Sequence, residues 1–257
     1  MWKKKSLKNP GGEMELMEHL QELRGCIVRI FIAVCIGATI SYEYSTEIFD
    51  ILSRPYFAAF SNASLIGTGP AEALILKLKV AFFCGIILSG PYIFYQLWLF
   101  IAPGLYENEK RMAVPFVAST SVLFLIGAWF CYHYIIPVAF SFFHDQYVSI
   151  GLTPTIKVSE HLSMMLQSMV GFGAVFEMPV LAYFLARLGV VNHRMMLSGA
   201  RYAVVIIFIV SAVLTPPDVL SQMLMAGPLC VLYGLSILIV KYTTPATPTP
   251  PAIGTTQ

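Results

Sequence analysis

Three sets of carboxylates are the residues best able to do chemistry in this chain. In EMELMEHLQELR, residues 13–24, Glu15, Glu18 and Glu22 recur at intervals of three and four. That spacing stacks them along one face of a helix, while Leu16, Leu20, Leu23 and Ile27 form an apolar stripe on another. Stacked carboxylates repel by a few tenths of a kcal/mol per pair. Such a face is either a solvated surface or an acidic site for a cationic ligand. In FIAPGLYENEKR, residues 100–111, Pro103 and Gly104 break a helix, and Glu107 and Glu109 then precede Lys110 and Arg111. This reads either as a charged turn or as a second acidic site. The third set is one residue, Glu177, inside the apolar stretch GFGAVFEMPVL.

Other chemistries find no support in the residue pattern. No HExxH, GxSxG, Walker loop, GxGxxG or CxxC pair occurs. The five cysteines, Cys26, Cys35, Cys84, Cys131 and Cys230, sit in or beside apolar runs and read as small packing residues. The expectation is a protein that is not an enzyme and uses no cofactor and no metal.

The elements that must position these carboxylates follow from composition. Of 257 residues, 57% are hydrophobic and 12% charged, with a mean hydropathy of +0.74. Soluble domains carry roughly 25% charged residues, so the chain reads as an all-α integral membrane protein. A helix needs about 20 apolar residues to cross the hydrocarbon core. Six runs qualify as spans: 26–44, 74–100, 112–136, 162–186, 200–214 and 219–240. The fifth, read as 15 residues, would reach only about 22 Å. Of the 16 Lys and Arg, 12 lie on the side that holds the termini, which predicts both termini in the cytoplasm. The domain reading is an amphipathic N-terminal segment over 1–25, a membrane domain over 26–240, and a disordered Pro- and Thr-rich tail over 241–257. The basic start is not expected to be a cleavable signal peptide. On the opposite side, 45–72 reads as a short interfacial helix ended near Arg54-Pro55, and 137–160 as a loop. Together they are expected to form a cap.

Glu177 lies ten residues before Arg187, or about 15 Å along a helix, and so near mid-membrane. A charged carboxylate there costs at least about 2.5 kcal/mol on insertion scales. Gly173 lies one turn earlier on the same face and makes room beside the carboxyl group for water or another helix. Pro179 removes a backbone hydrogen bond to Val175 and is expected to kink the helix. An intramembrane acid is a functional candidate by default. At the other end of the chain, Thr215, Ser221 and Gln222 put polar groups at the ends of spans five and six, where such groups tie helices together by about 0.6 kcal/mol each. Local capping of the TPPD turn by Thr215 and Asp218 is the competing reading.

HLQELR at 19–24, FIAPGLYENEKR at 100–111, FGAVFEMP at 172–179 and TPPDVLSQ at 215–222 together resemble the TatC family. That family is the multispanning receptor subunit of the twin-arginine protein translocase. The resemblance covers nearly the whole chain from Met17 to Lys241. It implies a concave, groove-like bundle of six helices with short spans five and six and a periplasmic cap, in the inner membrane. It implies binding of signal peptides with two consecutive arginines, through Glu22 and Glu109, with Phe100, Leu105, Tyr106 and Arg24 beside them. Guanidinium groups favour paired carboxylate acceptors, which fits those two glutamates. It further implies export of folded proteins on the proton-motive force, contact with lipids, self-association in a receptor complex, and no nucleic acid. Single-span partners of the TatA and TatB type are expected at Thr215, Gln222 and Asp218, and Glu177 with Pro179 is expected to serve the membrane-embedded step. One departure is that Gly25-Cys26 follows ELR where relatives usually carry further basic residues. The alternative is a proton-coupled small-molecule transporter with Glu177 as proton carrier, which predicts inverted repeats; no matching halves are visible.

Overall fold

The computed structural model describes residues 12–60, 64–101, 113–152, 155–187, 189–214 and 219–243. Within them the helices are α1 (Gly12–Glu43), α2 (Ser45–Ala59), α3 (Glu72–Ile101), α4 (Ala113–Phe130), α5 (Ile136–Ser149), α6 (Val158–Phe176), α7 (Met178–Arg187), α8 (His193–Leu214) and α9 (Val219–Thr243). A π-helical turn, Cys131–Ile135, joins α4 to α5. Two three-residue strands, β1 (Ser64–Ile66) and β2 (Thr155–Lys157), pair in parallel, with Ser64 opposite Thr155 and Ile66 opposite Lys157.

Among the described residues, six helical segments are long and apolar enough to cross a membrane: 20–43, 72–100, 114–149, 158–187, 193–214 and 222–243. Only 11–33% of the most apolar window of each is buried inside the protein. Ile27, Val28, Phe31, Ile32, Ile36 and Ile40 on α1 are all exposed. Such apolar faces are stable only against lipid, so the protein is a multi-pass membrane protein. Spans five and six, at 22 residues each, are the shortest. The fifth nevertheless reaches about 33 Å, because α8 extends back past the apolar run to His193.

The chain divides into two compact units, one of residues 1–47 and 77–121, the other of 48–76 and 122–257. In the first, α1 runs unbroken from Gly12, so the amphipathic N-terminal stretch and span one are a single helix. It pairs with α3 through small residues. A Cβ on Gly37 would lie 2.6 Å from Ser89 Oγ and 2.8 Å from the Gly85 carbonyl oxygen. Glycine at these points lets the backbones touch, as helices in lipid commonly require. The Ser89 hydroxyl then donates to the Ala33 carbonyl at 2.8 Å. On the same side, Trp98 of α3 packs on Phe116 of α4, ring centres 4.6 Å apart.

In the second unit, α2 does not end at Arg54-Pro55 but continues to Ala59 with Pro55 inside it. Proline has no N–H for the carbonyl one turn back. That carbonyl, of Ile51, instead accepts the Tyr132 hydroxyl at 2.7 Å. The segment 137–160, expected as a loop, is mostly α5 and the start of α6. Tyr56 of α2, Phe60 just past its end, Phe140 of α5 and His161 of α6 form a buried aromatic cluster, with the Phe140 and His161 rings stacked at 5.3 Å. Before α3, Glu72 Oε2 accepts the Thr68 N–H, the Gly69 N–H at 3.2 Å and the Thr68 hydroxyl at 3.2 Å. α7 ends at Arg187, and Gly189 beyond it has a φ of +72°, which suits a residue without a Cβ.

Candidate functional site

α1 and α3 run antiparallel, and three pairs set their register: Gly37 with Gly85, Ala33 with Ser89, and Cys26 with Gln96. The Cys26 thiol donates to the Gln96 main-chain oxygen at 3.5 Å. One turn further along, the same register brings Glu22 level with Phe100. Both line a cavity of about 510 Å³, together with Gln21, Arg29, Gln96 and Leu99. Glu22 is exposed and Phe100 half-buried, so the cavity has a carboxylate at its rim and an apolar wall. Arg29 also borders it, its Nε held by the Gly25 carbonyl at 3.0 Å. Arg24 is exposed; two residues past Glu22 on a helix it faces another direction. Leu105, Tyr106 and Glu109 lie outside the described residues. The spacing of acids in the sequence points to Glu22 but not to Gln96 or Arg29. A polar amide in the run QLWLF was the signal for Gln96.

Glu177 occupies the break between α6 and α7. It is 6% exposed. Neither carboxyl oxygen has a hydrogen-bond partner; the Phe124 main chain of α4 lies beside the carboxyl group. The break follows from Pro179, which is buried, and Glu177 itself turns its N–H to the Ala174 carbonyl at 3.2 Å. The glycines near it serve close packing. A Cβ on Gly173 would lie 2.7 Å from the Phe124 ring, and one on Gly127 only 2.8 Å from the Phe172 carbonyl oxygen. The space left by Gly173 is thus filled by another helix, and α4 and α6 are pressed together beside the carboxyl group.

Of the polar residues at the junction of the last two spans, Thr215 and Asp218 lie outside the described residues. Gln222 is half-buried, and its amide nitrogen donates to the Phe208 carbonyl at 2.9 Å, tying α9 to α8. Ser168 of α6 bonds the Leu214 carbonyl at 3.1 Å in the same unit.

Comparison with known proteins places these residues in a family context. The family model described as Sec-independent protein translocase protein (TatC) matches residues 18–228, a stretch that includes Glu22, Glu109, Glu177 and Gln222. The Sec-independent protein translocase protein TatC of Campylobacter jejuni is 45% identical over 243 residues, spanning 90% of this chain and 96% of that protein. Its counterpart in Helicobacter pylori is 41% identical over 235 residues, spanning 90% and 89% respectively. A crystal structure of the twin-arginine translocase receptor TatC superimposes with a TM-score of 0.82 at 36% identity, over 88% of this chain and 99% of that one.

Proposed function

This chain belongs to the TatC family of Sec-independent protein translocase proteins, and on that premise we propose that it is the receptor subunit of a twin-arginine translocase. It binds twin-arginine signal peptides at the cytoplasmic face, recruits single-span partners of the TatA and TatB type, and serves the export of folded proteins on the proton-motive force. It sits in the inner membrane with both termini in the cytoplasm; the excess of Lys and Arg on that side supports this orientation.

The observation that carries the reading is Glu22 beside Phe100 at the mouth of one cavity. A carboxylate at the rim of an apolar pocket suits an arginine, whose guanidinium forks onto the carboxylate while its stem lies on the apolar wall. Glu109 is the carboxylate of this reading for the second arginine, and Leu105, Tyr106 and Arg24 are assigned to the same signal-peptide site. Glu177 and Pro179 serve the step inside the membrane, where a buried acid at a helix break hydrates or thins the bilayer locally. Thr215, Gln222 and Asp218 form the partner-helix contact. The domain division follows the same reading: an N-terminal cytoplasmic segment over 1–25, a membrane domain over 26–240 and a cytoplasmic tail over 241–257.

A photoreactive side chain in place of Phe100 tests the location directly. It is expected to crosslink a precursor with an Arg-Arg signal and to lose that crosslink when the signal carries Lys-Lys. Equal crosslinking of both signals would overturn the reading.

A further inference from the structure

The cavity that holds Glu22 contains a second acceptor with no role so far. Gln96 on α3 is 3% exposed, and its Oε1 makes no hydrogen bond. A buried acceptor without a donor costs the fold stability, and an apolar residue of similar shape would remove that cost. A buried, unpartnered amide beside a cavity is a local cost that marks a ligand site rather than a packing position. Its main-chain oxygen is held by the Cys26 thiol at 3.5 Å, which fixes α3 against α1 at this level. The side chain borders the same cavity as Glu22, Arg29, Leu99 and Phe100.

The charges of the wall make a neutral acceptor useful. Arg29 borders the cavity along with Glu22, so a single carboxylate beside a like-charged neighbour of the incoming cation leaves room for a further, neutral acceptor. A guanidinium carries five N–H donors in one plane, more than one carboxylate can take. An ammonium is a compact point charge with no such fork. We propose that Gln96 is a specificity residue for the signal peptide: its Oε1 accepts an N–H of the arginine that Glu22 engages, which favours arginine over lysine at that position. Oε1 is shielded in the unliganded arrangement, and rotation about the soft terminal torsion of the side chain turns it toward the cavity. The assignment rests on the arginine-reading role proposed above for this site.

The test measures the affinity of a synthetic twin-arginine signal peptide, and of its Lys-Lys version, for the purified full chain in lipid nanodiscs. Wild type is compared with Gln96→Leu and Gln96→Glu, and Tm is read for each. Gln96→Leu is expected to weaken the Arg-Arg peptide about tenfold, the effect of one hydrogen bond to a charged group. It should leave the Lys-Lys peptide nearly unchanged and leave Tm equal to wild type or higher. Gln96→Glu, which keeps an acceptor, is expected to retain the arginine preference. If Gln96→Leu keeps the full preference while wild type shows one, the role of Gln96 is wrong and the arginine reading stands. If both peptides weaken in parallel with a fall in Tm, Gln96 is a packing residue and the inference fails. If wild type itself shows no preference, the arginine reading fails and takes this inference with it.

Discussion

Glu177 stands buried in the break between α6 and α7. Among the described residues no other Asp, Glu, Lys or Arg is buried to the same degree. A lone acid in an apolar run is visible to composition alone, and so is the proline that breaks the helix beside it. Because its carboxyl group has no hydrogen-bond partner, replacing it removes no stabilising bond. Glu177→Gln and Glu177→Ala are therefore expected to keep Tm while lowering export of a folded reporter several-fold; wild-type export rates in both variants would contradict a transport role. Gln96 was far harder to see. Its meaning depends on α1, and its contact with Cys26 spans 70 positions of sequence. An amide in an oily run has no periodicity of its own.

At the scale of elements, the helices read correctly as segments but not at their ends or crossings. The proline in α2 signalled a stop, and the structure overrides it because Tyr132, 81 positions away, takes the abandoned Ile51 carbonyl. Tyr132→Phe is expected to cost about 1 kcal/mol, seen as a lower Tm with the six spans intact; an unchanged Tm would show that water replaces the hydroxyl without loss. The β1–β2 pair escaped notice because three residues carry too little alternation to register. The tight approach of α4 and α6 yields a second test. At Gly127 an added Cβ would strike the Phe172 carbonyl, a backbone group with little freedom to move. Gly127→Val is thus expected to destabilise by about 1–3 kcal/mol, measured by thermal unfolding in detergent, whereas Gly227→Val, where nothing lies within 4 Å, should be near neutral in packing.

At the scale of the whole molecule, the six spans were legible because a hydrocarbon core asks only for local length and apolarity. The sign of their orientation rests on the distribution of Lys and Arg. Reporter fusions after Thr243 are expected to be active only as cytoplasmic reporters, and a periplasmic signal there would invert the topology. What local composition does not encode is which helices meet, and hence that Glu22 and Phe100 share a cavity. The central claim is that Glu22 contacts a signal arginine. A double-mutant cycle measures it most directly: binding free energies for wild type and Glu22→Gln, each against the Arg-Arg peptide and peptides with either arginine changed to lysine. The account predicts a coupling of about 1 kcal/mol or more between Glu22 and one of the two arginines. Additive losses for both, with no coupling beyond about 0.3–0.5 kcal/mol, would contradict it.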